Sequence, residues 1–193
     1  MRKIIFIDTE TTGFIPSKSA ITQLSGVVRI DKKDMETFNF YIKPFEGADI
    51  NQKALEVQGR TLEDFKNEKF ISEEKAYFLF KKILDKYVNK YDKNDKFIVA
   101  GYNVKFDVDM LQAFFKRQKD NYLFSYISLN NMLDPLPCIG MLQLCGLLPE
   151  LENNKLETWC KYFGIEFEAH DSLEDICATK ELIFKIANLI IKK

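Results

Sequence analysis

The stretch from Ile4 to Gly13, IIFIDTETTG, constrains this chain most, because an apolar run of strand length leads straight into two carboxylates, Asp8 and Glu10, spaced two apart. Residues i and i+2 of a strand project from one face, so both acids point at one spot. Two carboxylates that close repel each other unless a cation sits between them. The rest of the chain then has to bring further groups to that strand end. Taken alone, TETTG reads equally well as a polar turn closing an edge strand.

The downstream pattern alternates strands and helices. Ile21 to Ile30 is rich in β-branched residues and breaks at the polar turn Asp31 to Asp34. Thr37 to Ile42 alternates apolar and polar residues until Pro44 stops it. Residues Asn51 to Val57 and Thr61 to Asn67 read as two short helices separated by Gln58 and Gly59. Ser72 opens a longer helix with an apolar stripe of Ala76, Leu79, Phe80, Ile83, Leu84, Tyr87 and Val88. A strand at Phe97 to Ala100 turns at Gly101 into a helix whose first turn carries Asp107. The helix dipole favours an acid there. The same junction also faces ligands over the carboxyl edge of a sheet. Asp109 is the neighbouring alternative and ranks below, since it points elsewhere round the helix. Ser125 to Leu133 reads as a strand ending at Asp134, with Pro135 and Pro137 preparing a helix from about Cys138 to Leu144. Lys155 to Phe163 repeats helical spacing and stops at Gly164. Ser172, as N-cap, opens the final helix and puts Asp175 at its third position, where an acid returns a bond to the cap amide.

At 193 residues the chain fits a single domain, 1–193, large enough to form a core without metal or disulfide staples. Its net charge of -1 neither supports nor excludes a nucleic-acid partner, because an acidic site needs only a local basic rim. Cys138, Cys145, Cys160 and Cys177 make no CxxC pair and, beside a single histidine, exclude the usual zinc spacings. They read as buried free thiols in a reducing compartment. With no signal peptide and no run of membrane-span length, the expected location is cytoplasmic, with no membrane partner. The basic cluster Lys116, Arg117 and Lys119 reads as a solvated helix end before a phosphate contact.

His170 is the sole histidine and stands five residues before Asp175, in HDSLED at a loop-to-helix entry. In order, FIDTETTG, GYNVKFDVDML and HDSLEDICAT resemble the three exonuclease motifs of the DEDD superfamily in its histidine variant, DEDDh, the family of the proofreading subunit of bacterial DNA polymerase III. The segments ALEVQGRTLEDF, LDPLPCIGMLQ and KLETWCKYFGI extend the resemblance over nearly the whole chain. It implies an α/β, RNase H-like fold: a mixed sheet of five strands, the first three antiparallel neighbours, the others parallel crossovers, with helices on both faces. It also implies a metal-dependent 3′-to-5′ exonuclease that releases 5′-nucleoside monophosphates from DNA, prefers single-stranded 3′ ends, and serves replication or repair.

Carried over by position, Asp8, Glu10, Asp107 and Asp175 hold two Mg2+ or Mn2+ ions, with Asp8 bridging. Four carboxylates around one point suit hard divalent cations that keep waters for a substrate phosphate. His170 is the implied general base, since an imidazole takes a water's proton at neutral pH. Thr11, Phe14 and Asn103 are the implied substrate contacts, with Phe14 placed to stack on a base. Tyr102 departs from the pattern, where many members carry histidine.

An RNA-acting relative, similar to ribonuclease T or oligoribonuclease, is the close alternative, because the choice of sugar rests on the 2′-hydroxyl and pocket shape. A second alternative is a non-catalytic nucleic-acid-binding subunit, against which the presence of all five site residues counts. The sequence ends at Lys193 directly after the last helical pattern, without the kind of tail that binds a polymerase. A polymerase partner is therefore open, as is a homodimer.

Overall fold

The computed structural model describes residues 2–167 and 171–191. Its five strands form one mixed sheet in the order β3-β2-β1-β4-β5. β1 (Lys3–Thr11), β2 (Ile21–Ile30) and β3 (Lys33–Tyr41) make the antiparallel meander. β4 (Phe97–Ala100) and β5 (Ile127–Leu133) add in parallel beyond β1. This is the RNase H-like arrangement that the motifs imply.

The β2–β3 turn is tighter than its composition suggests. Asp31 and Lys32, at φ 44° and 78°, make the whole turn, so β3 starts at Lys33 rather than at Thr37. Left-handed conformation at both central residues matches the twist of the flanking strands. Asp31 is held there by its carboxylate, which accepts from the Arg2 amide at 2.8 Å.

Among the described residues, six α-helices surround the sheet: α1 (Gln52–Val57), α2 (Glu73–Tyr87), α3 (Val104–Arg117), α4 (Pro135–Leu144), α5 (Leu156–Phe163) and α6 (Ser172–Ile191). The second short helix expected near residue 61 is a 3-10 turn, Leu62–Lys66. In α2 the stripe shifts: Leu79 is exposed, and Tyr77 is buried instead, its hydroxyl donating to Asp120 Oδ2 at 2.6 Å. α4 begins at Pro135, ahead of the expected Cys138, because Asp134 caps it by accepting from the Leu136 amide at 3.0 Å. Prolines in a first turn have no N–H to leave unsatisfied.

The two faces of the sheet are covered differently. Ile5, Ile7, Leu24, Val28 and Phe38 pack with Phe80 and Leu84 of α2 and Val108, Leu111, Phe114 and Phe115 of α3. Each such side chain contributes roughly 1.5–3 kcal/mol by leaving water. On the other face, Phe6, Val27 and Ala100 meet Ile176 of α6. A further cluster of Ile139, Leu142, Trp159, Cys160 and Leu182 ties α4 and α5 to α6.

The reading of four buried thiols is corrected here: only Cys160 is buried, and Cys138, Cys145 and Cys177 are exposed. The packed faces of α4 and α6 are taken by Ile139, Leu142, Ile176 and Leu182, which turns those cysteines outward. No described helix is long and apolar enough to cross a membrane.

Candidate active site

The alternation of β1 sends Asp8 and Glu10 to the face that α6 covers and Thr9 to the opposite face, toward α3. Asp175, in the first turn of α6, arrives from above. One carboxylate oxygen from each of Asp8, Glu10 and Asp175 lies within 4.8 Å of the others, close enough to share a cation. Asp107 reaches the same strand end from α3 and is only 3% exposed. Its Oδ1 accepts from the Thr9 amide at 2.9 Å and from Thr9 Oγ1 at 2.7 Å, so it stands beside the trio rather than inside it.

These acids suppress one another's ionisation. Burial lifts the Asp8 carboxyl well above the usual range, and Asp107, Asp175 and Glu10 add to the rise. Glu10 is pushed up to about 7, first by burial and then by Asp175, while the Arg60 guanidinium pulls the other way. Burial also lifts Asp107 to about 7 against the two hydrogen bonds from Thr9. A hard divalent cation supplies the positive charge such a set lacks, and an all-oxygen donor set fits Mg2+ or Mn2+.

The start of α6 differs from expectation. Asp171, not Ser172, is the cap: its Oδ1 accepts from the Leu173 amide at 3.0 Å, and its carbonyl accepts from the Asp175 amide at 2.9 Å. The Ser172 hydroxyl is buried in a hydrogen bond with Ser25 Oγ and is therefore unavailable as a cap. Asp175 thus sits one position beyond the capping-box place, and that explanation for an acid there does not apply. His170, the expected general base, lies outside the described residues.

The expected substrate contacts differ among themselves. Thr11 is buried, its hydroxyl donating to the Gly13 carbonyl at 2.8 Å and its own carbonyl accepting from Gln58 Nε2 at 2.7 Å. Phe14 is 76% exposed, with its ring centroid 6.3 Å from that of Phe106. Asn103 caps α3 at φ 55°, gives its amide to Asp134 Oδ1 at 3.2 Å and leaves its side chain out of the cap. That side chain lines a cavity of about 550 Å³ together with Asp8, Asp175, Val57, Tyr102 and Lys155. The Tyr102 hydroxyl donates to the Asn154 carbonyl at 2.7 Å, so this position braces the loop before α5. Asp109 pairs with Lys105 on the outer side of α3. Arg117 is spent on Glu73 and lies 4.3 Å over the Phe45 ring, consistent with a structural helix end.

Sequence reasoning missed Thr9, Gln23, Arg60, Phe106 and Asp171. For Gln23 a signal was present: Gln23 and Ser25 are polar, spaced two apart on one face of a largely apolar strand, and pair directly with Glu10 and Asp8. Nothing local marks Arg60.

A family model described as exonuclease, of the RNase T type, matches residues 5–183. Among curated relatives, ribonuclease T of Buchnera aphidicola subsp. Schizaphis graminum is 30% identical over 195 residues, covering 95% of this chain and 82% of that protein. Ribonuclease T of Vibrio parahaemolyticus is 29% identical over 192 residues, covering 95% of this chain and 85% of that protein. Among solved structures, E. coli exonuclease I in complex with a dT13 oligonucleotide superposes with a TM-score of 0.74 at 23% identity, over 97% of this chain and 41% of that one. The chain therefore spans less than half the length of that structure, and the likeness is one of fold.

Proposed function

Because the chain belongs to the exonuclease family whose model spans residues 5–183, we propose that it works as a metal-dependent 3′-to-5′ exonuclease of the DEDDh type on single-stranded ends, releasing 5′-nucleoside monophosphates. The convergence of Asp8, Glu10 and Asp175 within 4.8 Å, with Asp107 alongside, carries this reading. These four residues would hold two Mg2+ or Mn2+ ions. When bound, such ions neutralise phosphoryl oxygens and lower the pKa of an attacking water.

The chain's own groups supply the rest. Thr9 pins one oxygen of Asp107 and leaves the other for the site. His170, next in sequence to the cap Asp171, takes the proton of the attacking water. The exposed ring of Phe14, braced by Phe106, gives the terminal base a stacking surface, a contact that tolerates any base. Asn103 presents its amide to the substrate from the cavity wall. Thr11 contributes through the backbone, since its hydroxyl is occupied. Residues 1–193 act as one exonuclease domain in this reading, and the unpaired cysteines suit a reducing, cytoplasmic setting.

DNA is one reading of the substrate, supported by the fold neighbour solved with dT13, and it carries a place in replication or repair. RNA is the second, supported by whole-chain relatives that bear the name ribonuclease T. A denaturing-gel time course with 5′-labelled single-stranded DNA and RNA of matched sequence, with Mn2+ or EDTA, decides both points. Stepwise 3′ shortening that needs metal and collapses in His170→Ala is expected, and the faster strand identifies the sugar. A folded, metal-supplied protein that shortens neither strand would remove the exonuclease reading.

A further inference from the structure

Beside the acidic site lies a hydrogen-bonded hub for which none of its catalytic roles accounts. Arg60 follows the turn after α1, with its guanidinium 5.3 Å from the Tyr41 ring centroid and 5.7 Å from that of Phe70. From there it donates through Nη2 to Gln23 Oε1, and through Nη1 to Gln58 Oε1 and Thr22 Oγ1, both at 3.3 Å. Each glutamine then donates onward. Gln58 Nε2 reaches the Thr11 carbonyl, at the end of β1, at 2.7 Å. Gln23 Nε2 reaches Asn39 Oδ1 at 3.1 Å and Asp171 Oδ2 at 3.3 Å, at the start of α6.

We propose that Arg60 is a positioning residue for this site: a donor-only hub that fixes the orientation of two amides, Gln23 and Gln58, and so sets the spacing between the end of β1 and the start of α6. The inference rests on the nuclease reading for its purpose, but not for its geometry. A primary amide has one accepting oxygen and one donating nitrogen, and the two ends have nearly the same shape. A guanidinium only donates, so it admits the amide oxygen and rejects the nitrogen. With Arg60 in place, Gln23 must offer its NH2 to Asp171. Without it, the Oε1 of the 0%-exposed Gln23 loses its donor, and the amide is held through its nitrogen alone, by Asn39 and Asp171. Asp171 caps the helix that delivers Asp175, so an error there is passed on to the spacing of Asp175 from Asp8 and Glu10. Two amides held by one fork act on opposite sides of the site. A lysine would keep the charge and lose the fork.

The proposal and a purely electrostatic role for Arg60 differ in sign. A cation beside Glu10 repels a divalent ion, so if charge alone mattered its removal would tighten metal binding. If Arg60 positions the carboxylates, its removal weakens binding, by about 10–100-fold, as for other partners that orient metal ligands. The test is Mn2+ titration by calorimetry on the full chain, for wild type, Arg60→Met, Arg60→Lys and Gln23→Glu, with kcat and KM on a labelled single strand.

Gln23→Glu is near-isosteric and keeps an acceptor for Arg60, but it removes the donor to Asp171. It therefore probes the relay even where Arg60→Met folds poorly. Expected are weaker Mn2+ binding in Arg60→Met and Gln23→Glu, only partial recovery in Arg60→Lys, and a fall in kcat larger than the change in KM. With Gln23→Leu added to the set, the double variant Arg60→Met/Gln23→Leu should be no worse than the poorer of Arg60→Met and Gln23→Leu, since the two residues act as one unit. Unchanged or tighter Mn2+ binding in both Arg60→Met and Gln23→Glu would overturn the proposal. A wild-type protein that binds Mn2+ but cuts nothing would overturn the nuclease reading alone, and the Mn2+ comparison would still decide the role of Arg60.

Discussion

Thr9 donates twice to a single oxygen of Asp107, from its amide at 2.9 Å and its hydroxyl at 2.7 Å, and so ties α3 to β1 at the strand end where the acids gather. Thr9→Val keeps the shape and the amide bond and removes the hydroxyl. A hydrogen bond to a charged group contributes about 1.5–3 kcal/mol. The expected result is a kcat roughly 10- to 100-fold lower on a single-stranded end with little change in the far-UV spectrum. Steady-state rates at saturating Mn2+ check this, and wild-type turnover would show that the amide alone holds Asp107.

The metal-free protein should lose stability as pH rises. Glu10 titrates at about 7 in the fold against an ordinary value of 4.5, so between those values the folded state holds more protons than the unfolded chain. Stability then falls with rising pH through that window, and the loss is complete above it. Asp107, lifted to about 7, acts in the same direction. Thermal melts in EDTA from pH 5 to 8 should show a falling Tm. The rise on adding Mg2+ should grow over the same range, as protons stop competing for the carboxylates. Asp8→Asn should raise the unfolding free energy in EDTA at pH 8 by on the order of 1 kcal/mol or more, seen as a higher Tm, and abolish both the Mg2+ response and turnover.

Much of this was legible from residue patterns, and the reasons are local. The i, i+2 spacing of Asp8 and Glu10 and the strand-to-helix junction at Asp107 are set by the backbone period, so they survive whatever the rest of the chain does. The cap of α6 was not legible in that way. Asp171 and Ser172 are equally good cap residues, and the choice is made by Ser25, 147 positions away, which takes the serine hydroxyl. The cysteines show the same limit: the type is often buried, but which side of α4 or α6 faces the sheet is decided by packing against neighbours distant in sequence. Arg60 reads locally as a residue after a helix stop, and its two glutamine partners come together only in the folded chain.

Phe14 should be dispensable for folding and not for substrate. Its ring is exposed and lies tilted beside that of Phe106, so Phe14→Ala should leave Tm within about 2 °C, as expected for surface changes within about ±0.5 kcal/mol. Base stacking of about 1–3 kcal/mol is lost, which should raise KM for single strands about tenfold. Equal KM values for the two proteins would remove Phe14 from the binding surface.

Gly26 is a packing requirement of the sheet. A Cβ there would lie 2.2 Å from the Phe38 ring and 2.7 Å from the Phe6 carbonyl, and the latter is backbone that does not yield. Gly26→Ala should cost about 3 kcal/mol, the upper end of the usual range for overpacking. Urea unfolding curves with an unchanged slope and a lowered midpoint would report it.

The join between Gln23 and Asp171 spans 148 positions, and the Ser25–Ser172 bond lies beside it. The first strands leave the ribosome and can pair long before that final helix has been made. A half-synthesised chain therefore carries the first-strand acids without Asp175, the carboxylate that completes their group. The acidic group is whole only once that late helix has been made and packed against the first strands, so its assembly reports that residues from both ends of the chain have come together.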